Sequence, residues 1–384
     1  MIVKYIIFEP ESRGNFSAEW RQCLKQIIYR RETDFRLIKM NIFTDLPDYE
    51  TYIKVSREIG RTIKSAFGEH CPVFNITVHP PKKPWKVTVE AGYADSVSGD
   101  ISTINWNSGS YIVCISDSGK EVWAGGLGSG LFHEDTRSAA IAAFDQMKAI
   151  LDNEGMSLNH LVRQWNYIGN ILEINNGFQN YQVFNEVRSE YYQNYRTIPG
   201  YPAATGIGMK LGGVSIDFCA VMAKNNILIQ PVHNPNQIDA YKYGQEMLKG
   251  TASAGVSKKH PPQFERALLL SGNLISTLFV SGTASIIGQE TIGIGDVEKQ
   301  TVVTIENINK LVDQKRIGPL IPNKGPEWGK FLLLRVYVKN QDDFAKVKAI
   351  CREHFPNVPA IYIESDICRD NLLVELEAEF LIDN

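Results

Sequence analysis

The sequence predicts an α/β (α+β) protein built of three tandem units that close into a pseudo-trimer within one chain. Three observations carry this. A series of helix, strand, helix and two further strands comes round three times. A proline opens the penultimate strand each time, at Pro72, Pro202 and Pro359. The final strand ends near an alanine each time, at Ala91, Ala220 and Ala378. A period above roughly 100 residues is too long for a solenoid. It reads instead as three small units, residues 1–98, 99–236 and 237–384, each packing two helices on one face of a mixed sheet. The other face of each sheet reads as apolar and needs a cover. Three sheets meeting around a pseudo-threefold axis supply one, and ligand sites then fall in the clefts between neighbours.

The elements follow in order. Val3 to Phe8 is a strand. A helix comes next, with Ser17 as N-cap and Trp20, Cys23, Leu24 and Ile27 along one face. Phe35 to Phe43 is a strand, and Asp48 opens a second helix running through Phe67. Pro72 to Val78 and Trp85 to Ala91 alternate with period two and read as a β-pair joined by a proline-rich turn. In the second unit, a hairpin turns at Asp117-Ser118-Gly119 and a helix spans about Asp135 to Asp152. Leu161 to Ile168 is a strand, Tyr181 to Tyr195 a helix, and 202–208 and 214–220 are the closing strands. In the third, the apolar run Leu278-Phe279-Val280 reads as a strand buried on both faces. It gives way to Ser281-Gly282-Thr283-Ala284-Ser285, whose small side chains bring the backbone close to something. Asp296 caps a helix from Val297 to Asp313. Phe331 to Val338, Phe344 to Phe355, 359–363 and 373–378 complete the unit.

Composition excludes several classes of function. The 384 residues carry a formal net charge of −3, so no general nucleic-acid or polybasic membrane surface is expected. No apolar run approaches the roughly 18 residues of a membrane span, and the N-terminus lacks a signal-peptide pattern. The six cysteines stand singly with no CxxC pair, against a zinc site or disulfide framework. The histidines show no ligand spacing, and His79, His233 and His260, beside prolines or in loops, are expected to be exposed. Gly125, Gly126 and Gly128 lack the following Lys-Ser/Thr of a phosphate loop. These readings together give a cytoplasmic protein, monomeric by virtue of its internal trimer, with no metal, no cofactor and a small-molecule substrate.

Val280-Ser281-Gly282, Gly295-Asp296, Gln300-Thr301, Asn307-Ile308, Val336-Tyr337-Val338 and Leu376-Glu377-Ala378 resemble the RidA/YjgF family, whose members are usually homotrimers of a chorismate-mutase-like fold. That resemblance implies an imine or enamine deaminase. Such enzymes hold the substrate carboxylate with an arginine after the Pro-Ala of the penultimate strand, where this chain has Phe74, Ala204 and Ile361. Four stretches resemble the chorismatases, a branch of the same superfamily. They are Val162 to Ile168, Tyr201 to Gly208, Asn234 to Tyr243 with Phe264 to Ala267, and Leu278 to Glu290. The resemblance covers about Ser129 to the C-terminus and departs at Phe184-Asn185-Glu186-Val187-Arg188, where a glycine is expected before the arginine.

The chorismatase resemblance implies cleavage of the enolpyruvyl ether of chorismate to pyruvate plus a hydroxybenzoate or a dihydroxycyclohexadienoate. That reaction asks for anchors at both ends of a dicarboxylate, an acid with a raised pKa at the methylene carbon, and water or an internal hydroxyl placed to attack. Glu290, in the loop past the small-residue stretch, is the candidate acid. Arg163, Arg196 and Arg266 are candidate carboxylate anchors, with a surface role as the alternative for each. Tyr243 and Thr205 are candidate hydrogen-bond donors, plain packing being the alternative for the tyrosine. Ala204 and Gly282 are candidate wall positions, and the size of Thr283 is a candidate control on the product. A binding protein for small carboxylates on the same fold is the non-enzymatic alternative.

Overall fold

The structure is a computed structural model, and it describes the chain apart from residues 31–32, 108, 131–133, 225–226, 253–257, 273, 322–324 and 326–327. In chain order, β1 (Val3–Phe8), α1 (Phe16–Tyr29), β2 (Phe35–Thr44), α2 (Tyr49–Phe67), β3 (Val73–Thr77) and β4 (Val87–Asp95) form the first group. The second is β5 (Gly99–Trp106), β6 (Gly109–Ser116), β7 (Gly119–Leu127), α3 (Thr136–Asn153), β8 (Leu161–Gly169), α4 (Asn180–Tyr195), β9 (Ala203–Met209) and β10 (Val214–Ala223). The third is β11 (Leu228–Val232), β12 (Ala267–Ser271), β13 (Ile275–Ala284), α5 (Val297–Leu311), β14 (Lys330–Val338), α6 (Phe344–His354), β15 (Ala360–Glu364) and β16 (Val374–Asp383). They build three main sheets, ordered β1-β4-β2-β3, β9-β8-β10-β7-β6-β5 and β11-β12-β13-β16-β14-β15. Among the described residues no helix is long and apolar enough to cross a membrane.

Local chemistry explains the element ends. Asp48, Asp135 and Asp296 each accept a backbone N–H from the first turn of the helix that follows. The N-cap of α1 is Asn15 rather than Ser17, because the Asn15 side chain accepts from Ala18 N. The two closing strands of each group do not pair with each other. β2, β8 and β14 lie between them, pairing parallel with β3, β9 and β15 and antiparallel with β4, β10 and β16. The intervening helix carries the chain back to the outer edge of its strand, as a parallel neighbour requires.

Alternation along the strands sorts the two faces of each sheet. In the third sheet, Leu334, Val336, Val338, Leu376 and Phe380 pack with Ile305, Ile308 and Val347 of the helices. The opposite face is apolar at Leu268, Phe279, Leu333, Tyr337, Ile361 and Ile363, as the sequence suggests, but charges lie among them. It bears Arg335, Glu375, Glu377 and Glu379, all buried, and faces Lys39, Glu90, Arg163 and Asp217 of the other two sheets. Three ion pairs run round in one direction. Lys39 of the first sheet meets Asp217 of the second at 3.0 Å. Arg163 of the second meets Glu377 of the third at 2.8 Å. Arg335 of the third grips Glu90 of the first through two nitrogens and also reaches Glu377. All three cations lie over the Trp165 ring, Lys39 Nζ at 3.9 Å from its centroid and the Arg163 and Arg335 guanidinium carbons at 4.7 and 4.9 Å. Burial alone would raise the Glu377 carboxyl. Arg163 and Arg335, with hydrogen bonds from Thr205 and Trp165, outweigh burial and hold it below the usual range.

His79 departs from expectation by being fully buried, its ring edge-on to Phe43 and Tyr167. Burial lowers its pKa to about 3, so the imidazole is neutral, with Nδ1 at 2.8 Å from Thr77 Oγ1.

Removing one member of such a network strands its partners without compensation, which costs about 3–5 kcal/mol. Arg335→Met should therefore lower the unfolding free energy by about that amount in a urea titration. A loss below about 1 kcal/mol, the worth of an exposed pair, would show that the buried charges do not hold the sheets together.

Candidate active site

The edge strand of the second sheet, β9, runs against β13 of the third. Ala204 N donates to Ser281 Oγ at 2.9 Å, and Gly282 N donates to Thr205 Oγ1 at 3.0 Å. Small residues permit this approach. Between the strands opens a cavity of about 440 Å³, to which β9 gives Ala204 and Gly206 and β13 gives Gly282 and Ala284. Glu375, at the start of β16, forms its floor, and Tyr181, Tyr243, Arg266, Cys368 and Arg369 form its walls. A larger cavity of about 710 Å³ beside Glu121 and Glu379 has no lysine or arginine in its lining. Its one cation, the Met1 N-terminal ammonium, is already paired with Glu121.

Gly282 is required where it stands. A Cβ there would come within 2.1 Å of Glu375 Oε1 and 3.1 Å of Thr205 Cγ2. The first and second sheets repeat this arrangement, since a Cβ on Gly125 would meet Asp217 Oδ1 at 2.8 Å. The outcome differs. Asp217 accepts from Asn75 Nδ2 at 2.8 Å and Gly126 N at 2.9 Å and pairs with Lys39, so that position is filled. Burial pushes the Glu375 pKa up to about 8, with help from the neighbouring Glu377 charge and against the pull of Arg266 and Arg163. At neutral pH Glu375 is a protonated acid.

The two wall arginines are held from behind. Arg266 Nη2 donates to Tyr243 Oη at 2.7 Å and to the Ile238 carbonyl. Arg369 Nη1 donates to the Gln289 carbonyl at 2.7 Å. Both guanidinium carbons lie near the Tyr243 ring, at 5.6 and 5.1 Å from its centroid. Burial first, then the nearby Glu375, pushes the Cys368 thiol up to about 12, so it stays neutral. Burial likewise keeps the Tyr181 phenol protonated.

Of the residues singled out in the sequence, Ala204, Tyr243, Arg266 and Gly282 line the cavity. Arg163 and Thr205 stand one layer behind, where Arg163 Nη2 donates to Thr205 Oγ1 at 2.7 Å and both bind Glu377. The other three lie elsewhere. Glu290 is exposed, paired with Ile287 across a tight turn whose Gly288 has φ +62°. That turn serves the cavity through the Gln289 carbonyl that holds Arg369. Arg196 follows α4 and donates to the carbonyls of Gly200, at 2.8 Å, and Leu158, tying down the loop before β9. Thr283 falls between the cavity-facing Gly282 and Ala284, and its hydroxyl closes on Ser281 O at 2.8 Å. Sequence reasoning missed Glu375, Arg369, Cys368 and Tyr181. A signal for the first existed in Glu375-Leu376-Glu377-Ala378-Glu379, where three carboxylates on one face of an otherwise apolar strand mark a buried polar surface.

The profile described as "Chorismatase FkbO/Hyg5-like, N-terminal" matches residues 113–220. A 3-hydroxybenzoate synthase from Streptomyces hygroscopicus is 32% identical over 256 residues, which is 65% of this chain and 70% of that protein. A chorismatase from Streptomyces rapamycinicus is 34% identical over 222 residues, covering 56% of this chain and 63% of that protein. A chorismatase crystal structure superposes with a TM-score of 0.67 at 20% identity, covering 99% of each chain, and so shares the fold. By its sequence relatives, this chain belongs to the chorismatase family.

Proposed function

We propose that the protein cleaves the enolpyruvyl ether of chorismate, releasing pyruvate and a hydroxybenzoate or a dihydroxycyclohexadienoate, with Glu375 as the general acid. The carrying observation is a buried carboxyl with a pKa of about 8 on the floor of a cavity walled by two arginines. Arg266 and Arg369 anchor the two carboxylates of the substrate. Glu375 gives its proton to the enol-ether methylene carbon, and the ether oxygen takes up the positive charge as an oxocarbenium ion. Water, or a ring hydroxyl, adds at the cationic carbon. In either case the proton lost from the nucleophile returns to the Glu375 carboxylate. With water, the hemiketal expels the ring alcohol and leaves pyruvate. With the ring hydroxyl, one ring C–O bond of the cyclic ketal breaks as the adjacent ring C–H proton is lost, and the aromatic hemiketal so formed expels a hydroxybenzoate and leaves pyruvate. Glu375 sits on β16, while Arg266 just ahead of β12 and Arg369 in the loop before β16 are each held from behind, which supplies orientation as well as charge. The internal arrangement of the three sheets supports a monomer in solution, and light scattering should give the mass of one chain rather than three.

The test is pyruvate release from chorismate in a coupled assay, with the ring product identified by chromatography. Glu375→Gln should lower kcat/KM by about 10²–10⁴, the usual worth of a positioned acid. Turnover unaffected by this change would remove Glu375 from the mechanism. The fold should tolerate it. A carboxyl whose pKa rises on folding contributes stability that is present at low pH and lost as pH rises through about 8. Glu375→Gln should therefore match or exceed the wild-type thermal midpoint above that pH.

Because the acid must be protonated, kcat/KM of the wild type should fall as pH rises through about 8. A flat alkaline limb would contradict the assignment. Gly282→Ala, which puts a methyl against Glu375 Oε1, should abolish most activity at an overpacking cost of about 1–3 kcal/mol in stability. Near-wild-type kinetics in that variant would mean that the carboxyl has room to spare.

A further inference from the structure

Outside the cavity, three side chains far apart in sequence converge. His233 follows β11, Asp239 lies in the segment that leads to Tyr243, and Glu265 precedes Arg266 ahead of β12. One ligand atom from each lies within 4.8 Å of the other two. His233 Nδ1 stands 3.0 Å from Asp239 Oδ1. The other Asp239 oxygen is engaged by Lys242 Nζ at 2.9 Å and Tyr241 Oη at 3.2 Å, leaving Oδ1 turned to the imidazole.

Glu265 supplies an independent observation. It is only 2% exposed, and its Oε1 accepts from Tyr201 N at 3.1 Å. Its Oε2 is buried with no hydrogen-bond partner. A buried carboxylate oxygen without a donor is costly, and a cation within the cluster would satisfy it. Access exists, because the His233 side chain is 56% exposed.

We propose that His233, Asp239 and Glu265 form a binding site for a divalent cation of the Zn²⁺ class. One imidazole nitrogen with two carboxylate oxygens suits Zn²⁺, with a fourth position open to water. Mg²⁺ and Ca²⁺ prefer oxygen-only sets. None of the three residues lines the cavity. A bound ion acts as a clamp, fixing the segment that carries Tyr243 onto the residue next to Arg266. Nothing in this depends on what the cavity turns over.

The test is calorimetric titration of the chelator-treated full chain with Zn²⁺ alone, with bound metal counted by atomic absorption. One ion per chain is expected. His233→Ala, at an exposed position that leaves the fold intact, should bind at least about tenfold more weakly, since losing even an outer-shell contact costs that much. Glu265→Gln, which keeps the shape and removes the charge, should weaken binding similarly. No saturable binding by the wild type, or equal affinity in the wild type and His233→Ala, would overturn the site.

Discussion

Trp165 sits where the three sheets meet, and a cation from each sheet lies over its ring. Each cation is paired with a carboxylate on the next sheet round, so the three pairings form a closed cycle. Buried charges of this kind add little net stability, because desolvation offsets most of the attraction. Their effect is on uniqueness. A strand that slipped by one residue would turn its charge toward the helices and its leucines toward the network. Lys39, Arg163 and Arg335 thus fix the register of β2, β8 and β14, and through them the position of each sheet against its neighbours.

The cavity is a by-product of the same register. Glu375 and Glu377 share a face of β16, two residues apart, so both point toward the second sheet. Arg163, Arg335, Thr205 and Trp165 all reach Glu377 and lower its pKa. Glu375 is left with burial and a charged neighbour, and its proton is held to about pH 8. The contrast with Asp217 shows that a carboxylate packed against a glycine of the neighbouring strand is not enough to raise a pKa. Asn75, Gly126 and Lys39 keep Asp217 engaged. Glu375 keeps a raised pKa where such partners run out and a cavity replaces them.

Much of this was legible in the chain. Periodicity located the helices and most strands but not β5, β11 or β12, and acidic caps marked the starts of α2, α3 and α5. The small residues of 281–285 announced a close backbone approach, which Gly282 makes against Glu375. Ala204, Tyr243, Arg266 and Gly282 were found through motif resemblance. Glu290 was chosen because it follows the motif in sequence, but the two-residue ladder there turns it out to solvent. Glu375 lies 92–93 residues beyond Gly282 and Thr283 and reaches them only because β16 pairs with β13.

The sequence by itself determined most of the order of elements and the family. Those depend on local spacing and residue type, which a single strand or helix expresses alone. The tertiary structure decided which strands are neighbours, that charges lie among the apolar residues of the face opposite the helices, and which carboxyls carry raised pKa values. A pKa depends on every charge and dipole within a few ångströms and on exclusion of water. For Glu375 those neighbours come from two sheets and from residues as far away as Arg163, so no window of sequence contains its environment.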